Sequence, residues 1–223
     1  MMKLHWSPRS PYVRKVMVCA HELDLLPRLE LVRSVAAMLQ PNERLMQDNP
    51  LSKIPTLVLD NGFTLFDSAV ICEYLDDLAS LGASLGASPR AGGSLFPKQG
   101  SDKWQALRWH AFGDGILDAL ILWRNERERD APLPNLIAAF ELKVLASLKQ
   151  LDDEAQALVA MPLSIGHVTL GCALGYLDYR FDGLDWRKSA LRLAEWHAEI
   201  SKRPSFKTTE APPSATSAPA PPD

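Results

Sequence analysis

The sequence predicts an α/β N-terminal domain followed by an all-α helical-bundle domain, and three observations carry that prediction. Residues 49–76 hold two short apolar runs around an Asp60-Asn61-Gly62 turn, then a helix start at Asp67-Ser68, which together read as a hairpin leading into a helix. Residues 80–98, SLGASLGASPRAGGSLFPK, are small, Gly-rich and Ser-rich, with a near repeat of Ser-Leu-Gly-Ala, and read as an interdomain linker. Every long segment after that linker has helical period. The expected organisation is a domain over 1–79, a linker over 80–98, a helical domain over 99–207 and a Pro/Ala-rich tail over 208–223.

Met2 to Trp6 is a short strand candidate that runs into Ser7-Pro8-Arg9-Ser10-Pro11. Ser10 is the expected N-cap and Pro11 the first helical residue, because a hydroxyl accepts from an orphan N–H and proline gives up none that the first turn needs. Val13, Val16, Met17 and Ala20 recur at helical spacing and give that helix one buried face. Leu29 to Val32 is a second, weaker strand candidate, followed by a helix or loop through about Gln47. Thr56 to Leu59 is rich in β-formers and Thr64 to Phe66 resumes the pattern after the turn, with Pro55 at the strand entrance. Strand, helix, strand, helix or loop, two strands and a helix is a thioredoxin-like order.

In the second half, Trp109, Phe112, Ile116, Leu120 and Trp123 make one helical stripe and Leu136, Phe140, Val144, Leu148 and Leu151 another. The mixed-sign run from Arg124 to Asp130 has no apolar member and reads as a solvated helix end and loop. Ser164 is an expected N-cap, with Leu163 stapled against Val168, but His167 stands where a capping box has its acidic residue, so the reciprocal bond is weakened or replaced. Trp186 to Ser201 reads as a helix with Leu193, Trp196 and Ile200 on one face, ended by Arg203-Pro204-Ser205. The closing APPSATSAPAPPD has too little apolar surface to build a core and reads as disordered or as an extended strap.

Composition excludes several function classes. A net charge of -3 over 223 residues, without a basic face, argues against nucleic acid, and no apolar run approaches a membrane span of roughly 20 residues. Cys19, Cys72 and Cys172 are odd in number, far apart and set in apolar helical patterns, which predicts reduced core thiols and a cytoplasmic protein. Five histidines without a Cys-x-x-Cys or His-Glu-x-x-His pattern predict no metal site.

The chemistry concentrates at two places. A kinked Ile54-Pro55 peptide would leave the Ile54 N–H and C=O pointing outward, free to pair with an extended peptide. Eleven residues on, roughly, the helix start at Asp67-Ser68 offers unpaired N–H groups to a carboxylate and the Asp67 side chain to an ammonium group. Together they suit a small zwitterionic peptide. The plain alternative is that Asp67 or Ser68 only caps a helix and Pro55 only bounds a strand.

With these residues quoted, the chain resembles the glutathione S-transferase family, most closely over residues 2–15 and 49–78. The resemblance implies that Ile54 pairs with the cysteinyl part of glutathione, that Pro55 is a cis proline, and that Asp67 with Ser68 holds the γ-glutamyl end. Ser-Pro-Tyr-Val-Arg-Lys is similar to the first-helix motif of the Ser-type bacterial members, which implies Ser10 as the partner of the glutathione thiolate. A free thiol near pKa 8.5 is only a few per cent ionised at pH 7, and lowering it by about two units needs roughly 2.7 kcal/mol, within reach of a hydroxyl donor plus the positive end of a helix. Ser7 and Arg9 compete for that role, and Ser10 as a cap alone is the structural alternative.

The same resemblance implies a homodimer that adds glutathione, as co-substrate and without any cofactor, to a small electrophile in a cleft between the domains. His110 and Asp114 are the candidate residues on the electrophile side, although Asp114 with Asp118 also reads as a plain acidic edge. A noncatalytic binding or scaffold protein of the same fold is the rival, and an isomerase, dehalogenase or peroxidase a third reading.

Overall fold

The structure, a computed structural model, describes residues 1–84 and 93–212. The first domain runs β1 (Met2–Trp6), α1 (Pro11–Glu22), β2 (Leu29–Arg33), α2 (Glu43–Met46), β3 (Thr56–Val58), β4 (Thr64–Leu65) and α3 (Ser68–Ser84). The four strands form one sheet in the order β2-β1-β3-β4. β1 pairs parallel with β2, Met2 opposite Leu29, and antiparallel with β3, Leu4 opposite Leu57. β3 pairs antiparallel with β4, and the connecting turn works because Gly62 takes a φ of +82°, a conformation that costs glycine nothing, while Leu59 donates to the Phe63 carbonyl. Leu4, Val16, Leu57 and Ile71 are wholly buried, so the sheet, α1 and α3 close over one core. This is the thioredoxin-like layout that the element order predicts.

The second domain is helical: α4 (Gly100–Arg127), α5 (Pro134–Asp153), α6 (Ala155–Ala160), α7 (Ile165–Arg180), α8 (Leu191–Ile200) and α9 (Pro204–Thr208). The predicted stripes are buried at Trp109, Ile116, Leu120 and Trp123, and at Phe140, Val144, Leu148 and Leu151. Leu136, in the first turn of α5, is 38% exposed, so that stripe is buried only from Phe140 on. α7 is the central element, packed on both α4 and α1, which is why nearly all of its first three turns are buried. Among the described residues no helix is long and apolar enough to cross a membrane.

Several boundaries differ from the sequence expectation. α3 runs on to Ser84, five residues into the stretch read as a linker, since Ala79, Leu81 and Ala83 sustain a helix and Ser80 Oγ bonds back to the Asp76 carbonyl. Residues 85–92, the middle of that stretch, lie outside the described residues. Where the chain returns, buried Asp76 accepts from the Leu95 N–H at 2.7 Å and from the Ser94 hydroxyl. The helix expected from Trp186 instead begins at Leu191. Trp186–Lys188 is a separate 3-10 turn, fixed by the left-handed Asp185 and by the Trp186 indole N–H bonded to Asp178 at 2.8 Å. Arg203-Pro204-Ser205 opens α9 as well as closing α8, Thr208 still belongs to α9, and the tail beyond residue 212 lies outside the described residues.

The charged run at the end of α4 is less solvated than its composition suggests. Glu126 is 3% exposed and accepts from the Leu133 N–H at 2.8 Å and from Arg129 at 2.7 Å. It satisfies a backbone donor just before Pro134, so a surface-looking glutamate ties the turn into α5. At the start of α7 the replaced capping box still closes: the Ser164 N–H donates to His167 Nδ1 at 3.1 Å, and His167 Nε2 lies 3.0 Å from the Leu158 carbonyl. Burial holds His167 below the usual imidazole range, which suits the neutral ring these partners require.

Candidate functional site

Three chain segments of the first domain supply the site. The loop after β1 turns tightly, with the Ser10 N–H bonded to the Ser7 carbonyl at 3.2 Å, and delivers Ser10 to the cap of α1. Ser10 is extended, with φ −87° and ψ 120°, and its hydroxyl oxygen accepts from the Val13 N–H at 3.3 Å while its carbonyl takes the Arg14 N–H at 2.9 Å. Among the described residues that hydroxyl donates to nothing. Its proton therefore remains available at the positive end of a twelve-residue helix. Ser7, the competing hydroxyl, accepts from Arg33 at 2.9 Å, and the Arg33 guanidinium lies over the Trp6 ring. Arg9 is exposed.

The second segment is the entrance to β3. The Ile54–Pro55 peptide is cis, Pro55 is buried and Ile54 half-buried. Among the described residues nothing pairs with the Ile54 N–H or C=O. Asn49, wholly buried, shapes this edge: its amide donates to the Lys53 carbonyl at 3.3 Å and to Thr56 Oγ1 at 2.9 Å, and its oxygen accepts from the Leu51 N–H at 3.0 Å. A buried amide with this many partners is a positioning device, and no local sequence pattern marks it.

The third segment is the start of α3. Asp67 is exposed, caps the helix by accepting from the Ala69 N–H at 2.9 Å, and takes the Ile71 N–H on its carbonyl at 3.0 Å. One carboxylate oxygen suffices for that cap, so the other can face an ammonium group. Ser68 is 2% exposed. Asp67 also belongs to the surroundings of Tyr12: the phenol is pushed far above its usual range by burial first, then by its hydrogen bond to Asp118, with the charges of Asp118, Asp114 and Asp67 adding. The starts of α1 and α3 thus share one electrostatic neighbourhood, and Tyr12 stays a protonated donor committed to Asp118.

His110 and Asp114 stand at the junction of the two domains. Lys15 of α1, with no exposed surface, donates to both Asp114 oxygens at 2.6 and 2.8 Å, and His110 Nε2 lies 3.1 Å from the same ammonium. Burial acts to raise the Asp114 pKa, but the His110 hydrogen bond and the Lys15 charge outweigh it and hold the carboxyl below the usual range. The structure therefore brings Asp114 and Asp118 to α1, at Lys15 and Tyr12, with Asp114 half-buried and Asp118 still exposed as a solvated edge would have it. A further cluster the sequence did not announce joins His5 to Ser34 and Asp48, each at 2.8 Å, and fixes the end of β2 against β1.

A family model for the glutathione S-transferase N-terminal domain matches residues 9–78, which includes Ser10, Ile54-Pro55 and Asp67-Ser68. A glutathione transferase family member from Pseudomonas fluorescens Pf-5, solved with bound glutathione, is 40% identical over 95% of this chain and 100% of that one, with a TM-score of 0.86. A second structure from the same organism, with bound S-(propanoic acid)-glutathione, is 38% identical over 95% of this chain and 100% of that one, with a TM-score of 0.83. The uncharacterized GST-like protein YibF of Escherichia coli K12 is 27% identical over 95% of this chain and 99% of its own length.

Proposed function

Because the chain belongs to the glutathione transferase family, we propose that it binds glutathione, stabilises the thiolate through Ser10 and transfers the sulfur to an electrophilic carbon of a small molecule. The observation that carries this reading is the state of Ser10: its oxygen is spent on capping Val13, and its proton is left for a sulfur held at the helix start. The Ile54 backbone would pair with the cysteinyl part of glutathione, Pro55 would keep that edge turned outward, and Asp67 with Ser68 would receive the γ-glutamyl end. Relatives solved with glutathione and with a glutathione thioether support sulfur as the reacting atom.

The chemistry asks little of the protein beyond placement and charge. The thiolate forms a bond to carbon while a leaving group departs or a π pair moves away, so holding sulfur and carbon near contact and stabilising negative charge are the main contributions. No metal or other cofactor enters this scheme, and glutathione is the co-substrate. His110 and Asp114 would border the electrophile side of the cleft through the junction they form with Lys15. Large apolar side chains left exposed in both domains, Leu51, Phe63 and Trp104 among them, are surface that a second copy can bury, in keeping with a homodimer. Three free buried thiols suit the cytoplasm.

Calorimetric titration of glutathione, with the ultraviolet absorbance of bound thiolate followed across pH, tests the reading. Saturable binding with thiolate present near pH 7 supports it. Absence of binding would leave the chain a noncatalytic member of its fold.

A further inference from the structure

The start of α1 carries Ser10 at its cap and, within the next five residues, three long side chains that reach into the second domain. Tyr12 and Lys15 stand three residues apart and so share one face of the helix, towards α4. The Tyr12 hydroxyl donates to Asp118, and the Lys15 ammonium directs its hydrogens at the two Asp114 oxygens and at His110 Nε2. Arg14 leaves from another face, donates to the Phe206 carbonyl of α9 at 3.1 Å, and lies against α7 where a Cβ on residue 175 would collide with it. α1 packs closely on α7 and α9, whereas it meets α4 chiefly through Tyr12 and Lys15. The helix that carries Ser10 belongs to the first domain, yet its direction is set from the second.

The two links to α4 differ in kind. Lys15 is wholly enclosed, and breaking its pair with Asp114 would strand a buried charge. Tyr12 is half-buried and Asp118 exposed, so water can serve that carboxylate and the fold does not rest on the bond. What the bond supplies is direction. It fixes the residue two places after Ser10, next to the Val13 N–H that the Ser10 oxygen caps.

We propose that Tyr12 and Asp118 are positioning residues for the thiolate donor: by tying the first turn of α1 to α4 they hold the Ser10 hydroxyl at the distance and angle from which it donates to the glutathione sulfur. The inference rests on the transferase reading, in which Ser10 is that donor. A hydrogen bond weakens steeply as its geometry drifts, so a slack first turn loses part of the thiolate's stabilisation. The charged groups facing Tyr12 are Asp118 and Asp114 from α4, Asp67 from the start of α3 and Lys15 from its own helix. Three of these four are negative and disfavour a nearby thiolate, so charge and placement act in opposite directions and can be told apart.

The test titrates bound glutathione on the full chain, reading thiolate by its ultraviolet absorbance across pH, with thermal unfolding measured alongside. Tyr12→Phe removes one oxygen and no charge. Its thiolate titration should move up by about half a unit, a roughly 3-fold change in the ionisation constant, and kcat at pH 7 should fall by a similar factor while glutathione affinity holds. Asp118→Asn keeps an acceptor for the Tyr12 hydroxyl and removes the charge, so its titration should stay in place or move down. A titration that Tyr12→Phe leaves where it was, with or without a lower melting temperature, overturns the proposal and leaves the pair structural. A move in Asp118→Asn alone overturns it too, as a pure charge effect. If the parent binds no glutathione, or Ser10→Ala titrates like the parent, the transferase assignment itself fails and the positioning role falls with it.

Discussion

Lys15 of α1 donates to both carboxylate oxygens of Asp114 on α4, a pair 99 residues apart in the chain and with the ammonium wholly enclosed. An ion pair with one member fully buried contributes little net stability when intact, because desolvation offsets much of the attraction, yet it is damaging to break. It fixes how the two domains meet.

Lys15→Met should therefore destabilise the protein by about 3 kcal/mol, the low end for a broken buried pair because Asp114 keeps some contact with water. Urea unfolding followed by tryptophan fluorescence measures it. The double variant Lys15→Met with Asp114→Leu should recover part of the loss, and a single variant within 1 kcal/mol of the parent would show that the pair carries no such weight.

Two buried histidines set an acid limit. Burial lowers His167, and burial aided by Arg187 and Arg14 lowers His197 to about 4 against the opposing pull of Asp178. Both bind a proton more readily when unfolded, where the ordinary value is near 6.5, so stability is complete above that pH and falls as pH drops towards 4. Asp114 acts lower still, since its depressed carboxyl is lost only below the usual carboxylate range. Urea midpoints at pH 7.5 and pH 5 should differ, with the lower pH the less stable. Equal midpoints would contradict the neutral-ring assignment.

Ser10→Ala removes both a cap and a donor. Loss of the cap should cost about 1 kcal/mol of stability. Loss of the donor should lower turnover at pH 7 by about 10-fold or more and move its pH profile upward by one to two units, roughly, with glutathione affinity nearly intact. An unchanged profile would transfer the thiolate to another donor, with Ser7 the first to try.

Asp67→Asn separates capping from charge. An asparagine still accepts from the Ala69 N–H, so stability should hold, whereas glutathione binding should weaken by about 10-fold as the ammonium loses its partner. Calorimetry and thermal unfolding on one preparation give both numbers, and undiminished affinity would refute Asp67 as that partner.

What could be read from the sequence was local. Asp60-Asn61-Gly62 announces its turn because few residues other than glycine adopt the φ that Gly62 does, and Ser10-Pro11 announces a helix start because cap and first turn have distinct needs. Lys15 announces nothing: beside Arg14 on an amphipathic helix it looks solvated, and its partner lies in the other domain. Glu126 misleads for the same reason, since its acceptor role depends on a backbone N–H seven residues on. Asn49 opens the diagnostic window, but its hold on Lys53 and Thr56 exists only once the Ile54-Pro55 edge has turned. Contacts made across the fold leave no periodic trace in the chain.

The chain's three cysteines, Cys19, Cys72 and Cys172, are all free and all wholly buried, and burial lifts Cys19 well above the ordinary thiol range and Cys172 to about 11. For the bench this makes the folded protein silent toward a chromogenic thiol reagent. Glutathione can then be assayed directly in a mixture with this chain, with no background from the protein, and a slow rise to three reactive groups per chain becomes a clock for its unfolding.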